Sequence, residues 1–227
     1  MGHDNPLALV AGAGAGLGQS LLARFAAAGL TPVGLGRSRP AEPVGAFHTL
    51  DLADERAVPD TIAEIIADHG PPKIVVHNTA ELVISPFSDT TLQDYQKTWT
   101  SMVQTAVLLA QATLQPMVRA GGGSFIVSGA TASLRGGAKF SAFASAKFAL
   151  RGLTQSLARE YQPAGIHVCH VILDGIIDSA RSRDRHGLDP TRMMDPADIA
   201  EAYWQLAQQP RSTWTQELDL RPASEGF

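Results

Sequence analysis

Four stretches of the 227-residue sequence hold residues whose types and spacing suit chemistry. The first, "AGAGAGLG" at residues 11–18, spaces glycines at 12, 14, 16 and 18. Such a loop lets backbone N–H groups approach a pyrophosphate, and a helix opening behind it adds the positive end of its dipole. The second, "LGRSRP", puts Arg37, Ser38 and Arg39 after Gly36. Guanidinium groups there suit a phosphate monoester and are equally at home as solvated loop charges. The third is Lys147, four residues after Phe143 and so on the same face of a helix. The fourth is Asp174, which follows an apolar run and precedes Gly175. A carboxylate there either steadies a turn or, in apolar surroundings, acquires a raised pKa and moves protons.

Composition removes several other classes. Charged residues make up 18% of the chain and the formal net charge is -4, so no basic excess exists to neutralise a nucleic-acid backbone or an anionic membrane surface. The single Cys169 lies inside "IHVCHVIL". It excludes an internal disulfide framework and reads as a buried structural thiol in a reducing cytoplasm. "MGHDNPLALV" has neither a basic n-region nor an apolar span long enough for export, and Pro6 stands where a myristoylation signal needs Ser or Thr. The histidines and acids show no metal-ligand spacing. With 44% hydrophobic content, a chain of this length builds a full core as one domain over residues 1–227.

The elements that must position these residues follow from periodicity. Short apolar runs alternate with longer stretches of helical period, the pattern of strands joined by crossover helices. Strands are expected at residues 7–12, 31–36, 46–52, 73–78, 124–129, 166–173 and 217–220. Helices are expected at 17–29, 59–70, 92–120 and 141–161 and after Pro196, with a polar segment at 179–194. The strands are continuously apolar, so helices cover both faces of an α/β, Rossmann-type, doubly wound parallel sheet. Ligands bind beyond the carboxyl ends of such strands, which singles out residues 12–18, 77–80, 128–131 and 174–179.

In that order the motifs resemble the short-chain dehydrogenase/reductase family over nearly the whole chain. Gly12, Gly16 and Gly18 match its glycine pattern, with Gly14, Ala15 and Leu17 between them, and Asp51 and Leu52 match its adenine-contacting pair. "HNTA", residues 77–80, is similar to its Asn-Asn-Ala-Gly element and keeps Asn78, followed by Thr79 and Ala80. Lys147 matches the lysine of its Tyr-x-x-x-Lys motif, and "DGIIDS" takes the place of its Pro-Gly-x-x-x-Thr turn. The resemblance implies that these residues hold a nicotinamide dinucleotide, with Lys147 on the nicotinamide ribose and Gly175, Ile177 and Ser179 toward the nicotinamide end. Enzymes that prefer NAD place an acid at the end of the second strand. Gly36 leaves that place empty, so the guanidinium groups of Arg37 and Arg39, with Ser38 between them in the cofactor site, favour NADP, with NAD as the alternative. The resemblance also implies a small-molecule substrate and a homo-oligomer, dimer or tetramer, paired through the helices at 92–120 and 141–161.

The resemblance breaks at the catalytic positions. The family's tyrosine is Phe143 here, its serine is Ala130, and its helix asparagine falls on Met102 or on neighbouring Ser101. Hydride delivery to a ketone creates an alkoxide that must be stabilised and protonated, and phenylalanine does neither. A positioned acid supplies about 10²–10⁴ in rate, and a serine-type donor roughly 10²–10³ more. Ser128, two residues before Ala130, and Asp174 are candidate substitutes; the plainer roles are a strand-end hydroxyl and a turn carboxylate. Ser141 reads as a helix N-cap and His77 as a neighbour of the ribose or adenine. Two functions stay open. One is an NADP(H)-dependent oxidoreductase whose proton comes from a substitute group or water; the other is a catalytically inactive dinucleotide-binding or regulatory protein. Reduction of a polarised carbon–carbon double bond would relax the need for an acid. Arg181, Arg183, Arg185 and Arg192 are either solvated charges or a site for an anionic substrate.

Overall fold

The apolar runs form strands β1 (Leu7–Ala11), β2 (Thr31–Gly36), β3 (Ala46–Thr49), β4 (Pro72–His77), β5 (Gly123–Ser128), β6 (Ile166–Leu173) and β7 (Glu217–Leu220). In the computed structural model, which describes residues 5–224, they pair in parallel in the order β3-β2-β1-β4-β5-β6-β7. Residues 1–4 and 225–227 and the side chains of Arg181 and His186 lie outside the described residues. The expectations for the amino-terminal signals and for the Arg181 guanidinium fall there.

The helices are α1 (Leu17–Ala27), α2 (Ala57–His69), α3 (Leu92–Trp99), α4 (Thr105–Arg119), α5 (Ser141–Tyr161), α6 (Ala180–His186) and α7 (Pro196–Ala207). Strand side chains alternate between the two faces, and both faces are apolar. Leu9, Val75 and Val127 pack with Ile62, Leu109 and Leu150 of α2, α4 and α5. Val10, Ile126 and Val171 pack with Leu21, Ile199 and Tyr203 of α1 and α7. Fully burying one such side chain contributes about 1.5–3 kcal/mol, which explains why these strands carry no polar alternation. This is the doubly wound Rossmann-type sheet that the sequence leads one to expect. Strand order reverses between β1 and β4, and the carboxyl ends there flank a crevice.

Several expectations change in detail. The stretch 92–120 is not one continuous α-helix: Thr100–Gln104 form a π turn between α3 and α4. A single wide turn leaves the apolar spacing on either side intact, so periodicity does not reveal it. Thr91 caps α3, its Oγ1 accepting from the Asp94 N–H while the Asp94 carboxylate accepts from the Thr91 N–H. α2 begins at Ala57, ahead of Pro59, because a proline in the first turn gives up only an N–H that has no helical acceptor. The N-cap of α5 is Phe140, so Ser141 is already helical and is not the cap; its Oγ is buried without a partner. Within 179–194, residues 180–186 form α6 and Pro190–Arg192 a 3₁₀ turn.

Candidate active site

The glycine loop turns tightly between β1 and α1. Gly12 has φ +85°, and a Cβ there would lie 2.4 Å from the Asn78 carbonyl oxygen; a Cβ on Gly18 would lie 2.6 Å from that of Gly12. Side chains at 12 and 18 are therefore excluded by neighbouring backbone. Gly14 has open space around it, so no contact dictates its type. Gly16 caps α1 with no side-chain hydrogen bond, leaving first-turn amides without a side-chain acceptor at the positive end of the helix dipole. Asn78 braces the loop, its Nδ2 donating to the Gly12 carbonyl at 3.3 Å.

A groove of about 580 Å³ opens over this loop. The glycine-loop residues, Arg37 and Ser38 after β2, Asp51 and Leu52 after β3, Asn78, Thr79 and Ala80 after β4, and Ile177 and Ser179 after β6 all line it. Lys147 and Gly175 do not. Gly175 is covered: a Cβ there would lie 2.7 Å from Pro222 Cδ and 3.1 Å from Met194 Sδ. The two arginines after β2 part ways, because Arg37 faces the groove while Arg39 Nη1 donates to the Phe47 carbonyl at 3.4 Å. Ser101, the alternative to Met102 for the family's helix asparagine, also lines the groove, as do Thr105 and Ser182, which the sequence does not single out. Thr105 had a faint signal there, a hydroxyl on the core face of an apolar helix.

Below the groove, Lys147 is buried and its Nζ donates to the Ser128 carbonyl at 2.9 Å, 5.7 Å from the centre of the Phe143 ring. Burial lowers the Lys147 ammonium to about 8, so it remains mostly charged at pH 7. Ala130 is extended, and its N–H donates to Ser133 Oγ at 3.2 Å. Ser133 in turn lies 3.0 Å from His170 Nε2. Met102 is wholly buried in the π turn, whereas adjacent Ser101 reaches the groove.

The candidate substitutes have other partners. Ser128 Oγ lies 2.9 Å from the Tyr203 hydroxyl, on the α7 side of the sheet, rather than bonded to backbone. Asp174 is buried and ties three segments together: it accepts from the Thr131 hydroxyl and lies 3.3 Å from Arg221 Nη2 and 3.9 Å from Arg135 Nη2. His77 is fully buried under the groove instead of lining it. Its Nε2 lies 2.8 Å from Thr105 Oγ1 and 3.0 Å from Thr79 Oγ1. Burial, and then the Lys147 charge, lowers His77 to about 3 and His170 to about 4, so both rings are neutral at pH 7. Among the described residues, no three His, Cys, Asp or Glu side chains converge as metal ligands, and no helix is long and apolar enough to cross a membrane.

A sequence profile described as short chain dehydrogenase matches residues 6–186. The chain belongs to the short-chain dehydrogenase family. The crystal structure of a short-chain dehydrogenase from Rhodopseudomonas palustris is 35% identical, covers 95% of this chain and 98% of its own, and superposes with a TM-score of 0.78. The uncharacterized oxidoreductase YciK of Escherichia coli is 28% identical over 96% of this chain and 93% of its own. The 3-oxoacyl-[acyl-carrier-protein] reductase FabG of Pseudomonas aeruginosa is 29% identical over 81% and 78%. A metagenomic short-chain oxidoreductase in complex with NADP has the same fold, with a TM-score of 0.80 at 21% identity over 96% and 97% of the two chains. This short-chain dehydrogenase is thus a member of a family of NAD(P)-dependent oxidoreductases, with a groove where that fold binds its dinucleotide.

Proposed function

We propose that the protein is an NADP(H)-dependent oxidoreductase, one domain over residues 1–227, that interconverts a small carbonyl compound and its reduced form with a proton source other than residue 143. The observation that carries the cofactor reading is a single groove lined by the glycine cradle, Arg37 and Ser38, with Gly36 where an acid would favour NAD. The residues present fit a dinucleotide, because Gly12 and Gly18 allow backbone packing that no side chain would and so aim the loop amides outward. When bound, the reduced cofactor supplies a hydride.

The chain's own groups do the rest. The Arg37 guanidinium and Ser38 hydroxyl suit a 2′-phosphate; Asp51 and Leu52 flank the adenine region, Asn78, Thr79 and Ala80 the middle, and Ile177 and Ser179 the far end. Lys147 places a positive charge beneath that end. Neither Phe143 nor Ala130 offers a hydroxyl, so the proton comes from a neighbouring group or water. The single Cys169 suits a reducing cytoplasm. Leu92 and Trp99 on α3 and Phe148 on α5 are 82%, 47% and 44% exposed, which supports a homo-oligomer that covers these two helices.

A second reading, a dinucleotide sensor without turnover, is favoured by the same two missing hydroxyls. Titration with NADPH and NADH, followed by NADPH oxidation with a panel of ketones, aldehydes and activated alkenes, separates the readings. The oxidoreductase reading expects NADPH to bind at least ~10-fold tighter than NADH, about 1.4 kcal/mol, and to be oxidised by at least one compound. Tight binding without oxidation leaves the sensor; uptake of neither dinucleotide rejects both.

A further inference from the structure

Between the sheet and the π turn lies a buried polar layer that the reading above leaves unused. The Thr79 and Thr105 hydroxyls both reach the Ser101 carbonyl oxygen, at 2.5 Å and 2.9 Å, and a carbonyl oxygen only accepts. With both hydroxyl protons directed there, His77 Nε2 carries the ring hydrogen and donates to the threonine oxygens. Nδ1 is then a bare acceptor, and it is buried with no partner.

Lys147 is the converse. Its ammonium has three N–H donors and makes one hydrogen bond, to the Ser128 carbonyl. α5 covers the sheet face onto which His77 projects, and β4 and β5 pair His77 with Val127, next to Ser128. A bare acceptor and spare donors on one side of one sheet are complementary across one buried water. On the other side of His77, Thr79 and Thr105 line the groove. A water bridging Nζ and Nδ1 would complete a hydrogen-bonded chain from the sealed ammonium to the groove.

We propose that His77 relays a proton from Lys147 to the threonine hydroxyls of the groove, in place of the route that a hydroxyl at residue 143 would give. The proposal rests on the oxidoreductase reading. A carbonyl oxygen that gains an electron pair when hydride reaches its carbon needs one proton. Lys147 gives that proton through the bridging water to His77 Nδ1, Nε2 gives its hydrogen to a threonine oxygen, and that hydroxyl turns from the Ser101 carbonyl to release its own proton into the groove. Lys147 is left as a neutral amine and His77 neutral with its hydrogen moved to Nδ1; the reverse transfers serve oxidation. His77 is a positioning residue, acting between Lys147 and the groove.

The charged and titratable groups around this layer are few. Lys147 faces His77 from α5, and His170 lies across Val127 on β6. His170 also feels Glu217 and Arg151. Among the described residues, Thr105 at the start of α4 and Thr79 after β4 offer His77 hydroxyl partners, held by the Ser101 carbonyl of the π turn.

The test uses the full chain labelled with ¹⁵N-histidine, together with NADPH oxidation by a reactive 1,2-diketone. Wild-type His77 should appear as the neutral Nε2–H tautomer from pH 6 to 8. His77→Asn keeps a polar group but passes no proton, and Thr105→Val leaves the ring in place. Each should lower kcat at least ~10-fold, hold the KM for NADPH within about twofold, and flatten the alkaline limb of the pH profile. A purely structural histidine would not move that limb. If His77→Asn does not fold, Thr105→Val decides. An Nδ1–H tautomer, or variants with wild-type kcat and an unchanged limb, overturn the relay. Wild-type protein that binds NADPH without oxidising it overturns the oxidoreductase reading instead.

Discussion

The Phe143 ring stands beside the Lys147 ammonium, with 5.7 Å between ring centre and Nζ. Both project from the same face of α5, one helical turn apart, and Nζ is held by the Ser128 carbonyl at the end of β5. The arrangement keeps a cation next to an aromatic ring that has no ionisable group for it to activate. A hydroxyl on that ring would sit in the field of a neighbouring positive charge, which favours the phenolate and lowers the phenol pKa.

Phe143→Tyr should therefore raise NADPH-dependent ketone reduction by about 10². Adding Ala130→Ser should give roughly 10² more. Initial rates of NADPH absorbance loss check this, and no gain in either variant would show that residue 143 is remote from the reacting atoms.

The glycine loop makes a sharper contrast. Gly12→Ala forces a methyl group to within 2.4 Å of the Asn78 carbonyl at a φ of +85°, and should cost at least about 2 kcal/mol of stability along with dinucleotide binding. Gly14→Ala meets nothing within 4 Å and should stay within about 1 kcal/mol of wild type. Urea unfolding and NADPH titration of the two variants test the difference; equal losses would remove the steric account.

How much of this was legible in the sequence depends on what each residue's signal is made of. The strands, the glycine cradle and the groove positions could be read because burial and close backbone approach restrict residue type directly. Arg37 and Arg39 could not be told apart, since only the path of the chain after β2 turns one to the groove and the other onto the Phe47 carbonyl. Ser128 and Asp174 kept several readings because their partners, Tyr203 and Arg221, lie 75 and 47 residues away in the chain. The Ser141 cap failed by one position, and helix ends are the least determined points of a periodic pattern.

The buried histidines should make the protein sensitive to acid. Unfolded rings take up protons near pH 6.5, whereas folded His77 and His170 stay neutral down to about pH 3 and 4. The stability they confer is full above pH 6.5 and is lost as pH falls through that window, at about 1.4 kcal/mol per pH unit for each ring. His167, also lowered by burial, adds in the same direction. Urea midpoints between pH 6.5 and 5 measure the slope, and His77→Asn should lessen it by one ring's share. An unchanged slope would mean that His77 is hydrated in solution.

Cofactor preference should turn on Arg37. Arg37→Asp removes the guanidinium that faces the groove and supplies the carboxylate that suits ribose hydroxyls. NADPH affinity should fall at least ~10-fold and NADH affinity should rise, while Arg39→Ala leaves both within about twofold, a change worth less than about 0.5 kcal/mol. Competitive titration of the two dinucleotides reads the ratio directly.

The π turn at Thr100–Gln104 holds one residue more than a regular helical turn would. Deleting a single residue there would let α3 and α4 merge into one regular helix with their outer faces still aligned, because a wide turn takes up its extra residue without rotating the flanking helices. The loss would be local, at the Ser101 carbonyl that gathers the Thr79 and Thr105 hydroxyls. A shortened segment should therefore keep the fold while disturbing the polar layer around His77.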